Sequence, residues 1–185
     1  SGRRIRVDLS HEESRMSAVP ILLADALTTV INTAQAASQL GSQSFTAVRS
    51  YPDWDDDFKD LKALEVDVIP VTSAGDLVDL DTERTINSDP AVDIVVRRRF
   101  EPGDKETSGA KAGRLKKTSV DPLVRLVEQI HELLSEDRFT AVTLSGGHYA
   151  NWIEATVRTY CDYARLRQGV FLGVVRVRYN VSKAN

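Results

Sequence analysis

The chain of 185 residues has a single cysteine, Cys161, and a single methionine, Met16. One thiol can close no disulfide within the chain and can build no multi-thiolate metal centre. A reducing compartment is therefore the default expectation. No apolar run approaches the roughly 20 residues needed to cross a bilayer. Arg3, Arg4 and Arg6 stand near the amino end without an apolar core behind them, which argues against a signal peptide. The formal net charge is only −3, so there is no global attraction to nucleic acid or to an anionic membrane. Internal repeats are lacking. Gly146-Gly147 does not have the spacing of a phosphate-binding loop. No serine or cysteine has a recognisable base and orienting acid near it in sequence.

What remains is ordinary soluble-domain material. Hydrophobic residues make up 42% of the chain and charged residues 28%, enough for a real core under a charged surface. The length fits one domain with appendages. The most legible stretch is Val120–Glu136, where Asp121 reads as an N-cap and Pro122 as the first helical residue. Leu123, Leu126, Val127, Ile130, Leu133 and Leu134 recur at three- and four-residue steps and predict one apolar face. A second helix is predicted from Pro20, with Leu23, Leu27, Val30, Ile31 and Ala34 inward and Gly41 as its stop.

Strands are predicted at Phe45–Tyr51, Val66–Val71, Ala91–Phe100, Phe139–Leu144, Tyr149–Tyr160 and Val170–Val181. Pro70 argues for an edge position or an early end of the second. In the last, Val175, Val177 and Tyr179 share one face and Arg176 and Arg178 the other. Short helical turns are expected at Phe58–Leu64 and Tyr163–Gln168, and Asp76–Asn87 is ambiguous. Most connections are too short for parallel crossovers. The expected fold is therefore α+β, a largely antiparallel sheet with two main helices on one face. Residues 1–15 read as an N-terminal arm or extension. Residues 16–185 form one domain with a mobile loop at 101–119.

Several motifs invite chemistry. Asp53, Asp55 and Asp57 occupy the first positions of a calcium loop, but Phe58 stands where glycine is needed and Leu64 where glutamate is needed. An acidic turn opening a helical segment is the better reading. Pro52-Asp53 and Asp57-Phe58-Lys59 spell a metal-dependent nuclease motif, yet the carboxylates lie in one loop rather than on neighbouring strands. His11, His131 and His148 are scattered, and His131 falls on the polar helix face, where solvent is the default. No catalytic, metal-binding or cofactor-binding residue is assigned.

Glu101–Thr118 is rich in Gly, Pro, Ser and Lys. Lys105, Lys111, Arg114, Lys116 and Lys117 outnumber Glu101, Asp104 and Glu106. The cations are either solvated or dock on an acidic protein surface. Nucleic acid ranks behind, because the loop has no aromatic side chain to stack on bases.

The order of these elements resembles a known family. An opening helix is followed by Tyr51-Pro52-Asp53-Trp54, Asp60-Leu61 and Val66-Asp67-Val68-Ile69-Pro70. A middle strand, the Asp121-to-Glu136 helix, Trp152 and the closing VFLGVVRVRY strand continue the pattern. Over Met16–Val181 this is similar to the tail terminator, or tail completion, proteins of long-tailed bacteriophages. The resemblance implies a structural subunit that assembles into a hexameric ring on the tail tube and meets the head connector. DNA would pass through the ring unread, and the family has no catalytic residue to carry over. The implied setting is the virion neck, and the host cytoplasm during assembly. The arm before Met16 departs from the pattern. The alternatives are a head-closure or adaptor protein of the same neck, or a small nucleic-acid-binding or metal-dependent nuclease domain.

Overall fold

Alternation along the strands decides which side of the sheet is dry. The computed structural model describes residues 19–51, 61, 63–71, 91–135, 141–144 and 148–183. In chain order these form helix α1 (Val19–Ala36), strands β1 (Ala47–Arg49), β2 (Glu65–Val71) and β3 (Ala91–Arg99), and helix α2 (Lys117–Ser135). Strands β4 (Ala141–Leu144) and β5 (His148–Thr159), helix α3 (Tyr163–Arg167) and strand β6 (Val170–Lys183) follow. The six strands make one sheet in the order β1-β2-β3-β6-β5-β4.

The fold is α+β and the sheet is mixed. Four of its five pairings are antiparallel, and β1 runs parallel to β2. The stretch from Ser50 to Leu64 is long enough for the crossover that a parallel pair needs.

Register aligns one apolar phase across the centre. Val66 pairs with Val96, Val68 with Ile94, and these continue into Gly173 and Val175 of β6. Val92 meets Val177. Apart from Gly173, these residues share a single core cluster with Leu23, Leu27 and Ile31 of α1 and with Leu123, Leu126, Val127 and Ile130 of α2. Burying a side chain of this size contributes roughly 1.5–3 kcal/mol. The opposite phase carries Asp67, Asp93, Arg97, Arg176 and Arg178. At its centre, however, Val95 is also fully buried.

Helix α1 contacts β1, β2 and β3, and also β4 at the far edge of the sheet. The long β5–β6 hairpin carries a register shift between Trp152 and Glu154, and such bulges bend a strand. Asn32 joins α1 to the β1 edge. Its side chain donates to the Ala47 carbonyl at 2.9 Å and accepts from the Ala47 amide at 2.8 Å. That side chain blocks the outer edge of β1 as a paired strand would.

Several local expectations are corrected. Helix α2 starts at Lys117, so Pro122 lies inside it and Asp121 is no N-cap. The amides of Ser119 and Val120 both turn back onto the Lys116 carbonyl and begin the helix earlier. Pro70 sits in an internal strand. It is tolerated because β1 pairs only with Val66–Val68, so among the described residues Pro70 has a strand neighbour on the β3 side alone. The first strand shrinks to three residues. α1 ends at Ala36, and the left-handed residue after it is Ser38, at φ 57°, ahead of Gly41. The turn predicted at Phe58–Leu64 and the ambiguous Asp76–Asn87 lie largely or wholly outside the described residues, as do residues 1–18.

Candidate interaction surface

The segment after β3 is built, not merely long. Pro102–Asp104 and Gly109–Lys111 form 3-10 turns, and Lys105 bridges Leu115 across the segment. The Glu106 amide donates to the Arg114 carbonyl at 2.8 Å, and the Gly113 amide returns to the Glu106 carbonyl at 2.9 Å. The Lys116 amide reaches the Asp104 carbonyl at 2.8 Å. Gly109 and Gly113 have φ of 78° and 81°, the left-handed turns that let the chain double back. Leu115 packs against the core and anchors the base. Residues 101–116 are thus a closed lobe, where composition alone predicts no regular structure.

Asp104 organises the base of that lobe. Its carboxylate accepts from the Glu101 amide at 2.9 Å and lies 3.4 Å from Arg98. Burial pushes its pKa up. The hydrogen bonds from Glu101 and Ser119, with the charges of Arg98 and Lys116, outweigh burial and hold it below the usual carboxylate range.

The five predicted cations divide. Lys105, Lys111 and Arg114 are exposed on the lobe. Lys116 is half-buried, and its ammonium donates to the Gly103 carbonyl at 2.8 Å, closing the lobe. Lys117 is exposed but belongs to the first turn of α2. Lys116 is therefore a structural residue, and the outward set is Lys105, Lys111, Arg114 and Lys117.

Across the sheet face opposite the core, charge is paired rather than free. Arg97 meets Asp67 through Nε at 2.7 Å and Glu65 through Nη2 at 3.0 Å. Ser50 donates to the other Asp67 oxygen at 2.6 Å. The side chains of Arg97 and Asp67 are 8% and 9% exposed, so this is a buried pair. Arg176 clasps Asp93 with two bonds of 2.7 Å, and the hydrogen bond to Asp93 raises its pKa further.

His131 is half-buried rather than left to solvent. Its Nε2 lies 3.1 Å from the Ala155 carbonyl and ties α2 to β5. Cys161 is half-buried, and burial pushes its thiol pKa up, away from the reactive thiolate. Among the described residues no group of three or more His, Cys, Asp and Glu is placed to hold a metal. Asp53, Asp55, Asp57, Lys59 and His11 lie outside the described residues. So do Gly146 and Gly147.

Sequence reasoning missed the exposed tyrosines of the β5–α3 turn. Tyr160 is 48% exposed and Tyr163 is 74% exposed. Asp162 between them caps α3 by accepting from the amides of Ala164 and Arg165. A short Tyr-X-X-Tyr step across a strand end carried the signal, but only the sheet register places it at the same end of the sheet as the lobe. Among the described residues no helix is long and apolar enough to cross a membrane. Comparisons with protein-family models, with curated proteins and with solved structures find no match.

Proposed function

We propose that the protein is a structural subunit of a phage neck, of the tail terminator kind, that acts by assembly rather than by catalysis. The reading rests on the resemblance in element order. The observation that carries it furthest is the closed lobe at residues 101–116, which presents Lys105, Lys111 and Arg114 outward at the end of the sheet. A subunit that joins a cyclic assembly needs a formed projection that meets a different patch on its neighbour. Such a ring would cap the tail tube, meet the head connector and let DNA pass through its lumen. The setting is the virion, after assembly in the host cytoplasm.

Analytical ultracentrifugation with and without tail tube protein tests the proposal, together with quantification of the chain in purified virions. A ring-sized species and a fixed stoichiometry per virion are expected. A strict monomer in both conditions, absent from virions, would overturn it.

A further inference from the structure

The fold gathers positive charge at one end of an otherwise acidic molecule. Residues 97–117 and 158–167 carry eleven of the chain's 24 Lys and Arg but only four of its 27 Asp and Glu. These two stretches are far apart in sequence, and the sheet brings them together. Arg99 pairs with Val170 at the start of β6. The Phe100 amide donates to the Gly169 carbonyl at 2.8 Å, and the Asp162 amide donates to the Leu172 carbonyl at 2.9 Å. The lobe and the β5–α3 turn therefore leave the same end of the sheet.

Both contribute exposed groups there. Lys105, Lys111, Arg114 and Lys117 come from the lobe and the first turn of α2, and Arg167 from α3. Tyr160 and Tyr163 stand exposed at the β5–α3 turn, across β6 from the lobe. Of the four acids in these two stretches, Asp104 holds the lobe base and Asp162 caps α3, while at the same end Glu65 of β2 is paired with Arg97 and Asp121 of α2 is exposed. Glu101 and Glu106 are the remaining two.

We propose that this end binds single-stranded nucleic acid without reading its sequence. Cations along a ridge neutralise phosphates, and aromatic faces stack on unpaired bases whatever their identity. Lysine is depleted at protein–protein contacts, whereas phosphates accept lysine and arginine alike. The tyrosines supply the stacking surface that the lobe lacks by itself. Both are anchored, Tyr160 at the end of β5 and Tyr163 at the start of a capped helix. The inference needs no ring, and it gives the lobe cations a different partner from the neighbouring subunit of the assembly reading, so oligonucleotide binding and ring formation are measured separately.

Fluorescence anisotropy of the full chain tests it, with labelled oligothymidine, a labelled duplex and poly-glutamate as competitor. Oligothymidine should bind at low salt more tightly than duplex. Its log affinity should fall against log salt with a slope of about −0.7 per phosphate contacted. Joint Lys111→Glu and Arg114→Glu substitution should weaken binding by about tenfold or more and shallow that slope. Tyr163→Ala should weaken oligothymidine binding by about fivefold or more while leaving duplex binding unchanged. All three positions are exposed, and circular dichroism of the variants should match the parent. Absence of binding at low salt would overturn the proposal, as would affinity indifferent to these substitutions. Displacement by poly-glutamate as effective as by unlabelled oligothymidine would also overturn it, and would identify an acidic protein surface as the partner.

Discussion

Gly173 of β6 lies against Val127 of α2 so closely that a Cβ at position 173 would come within 2.5 Å of Val127 Cγ2. The same Cβ would stand 3.1 Å from the Tyr160 carbonyl oxygen. The glycine is there for space rather than for a special backbone angle. Gly173→Ala should destabilise the fold by about 1–3 kcal/mol in urea unfolding, as overpacking does. Val127→Ala in the same chain should recover part of that loss. Additive losses in the double variant would show that the two positions do not compete for the same volume.

The Arg97–Asp67 pair makes a different prediction. Arg97→Met leaves Asp67 buried without its cation and should cost about 3–5 kcal/mol. Joint Arg97→Met and Asp67→Leu should restore most of the stability, since an apolar pair of similar volume often matches a buried ion pair. The Arg97 Nη1 atom is buried and has no hydrogen-bond partner, so the ion pair carries an uncompensated donor that the apolar pair would lack. Equal unfolding midpoints for parent and Arg97→Met would refute this account.

Asp104 gives a pH signature. Its folded pKa lies below its ordinary value, so it adds stability above the usual carboxylate range and loses it as pH falls through that range. Asp104→Asn should lower stability at neutral pH by about 0.5–2 kcal/mol, the scale of a lost cap. The gap between parent and variant should close as pH drops below about 4. A gap of constant size at every pH would mean that the charge of Asp104 plays no part.

Hydrogen exchange tests whether the lobe is closed in solution. The amides of Glu106, Gly113 and Lys116 donate within it and should exchange more slowly than those of Thr107 and Ser108. Uniformly fast exchange from Glu101 to Lys116 would show that the lobe is open, as its composition alone suggests.

The two long helices and the longer strands were legible because their apolar residues repeat at the period of the element they form. The alternation Val175, Arg176, Val177, Arg178, Tyr179 identified the buried face of β6 without help from its neighbours. The ion pairs were not legible, because Asp93 and Arg176 are joined by strand register over 83 positions. Lobe closure was hidden for a related reason. It depends on backbone bonds between Glu106 and Arg114 and on two glycine turns, while the amino-acid types alone resemble a linker. The start of α2 was misplaced because Asp121-Pro122 is a strong local signal, and the turn closing on Lys116 overrides it. Tyr160 and Tyr163 went unnoticed because a tyrosine at a strand end gains meaning only from what lies across the sheet.

The strand order has a consequence for how the chain acquires its shape. β6 is the last of the described strands in sequence, yet it lies between β3 and β5. Until it is in place, β1-β2-β3 and β4-β5 are two ribbons with no hydrogen bond between them, each with an open inner edge. A ribosome delivers those ribbons first and the strand that joins them last. During synthesis the chain therefore passes through a period in which the inner edges of β3 and β5 are both available to the wrong partner. Charged residues stand along both of those strands, Asp93, Arg97, Arg98 and Arg99 in β3 and Glu154 and Arg158 in β5, and charge along an open edge strand opposes wrong pairing.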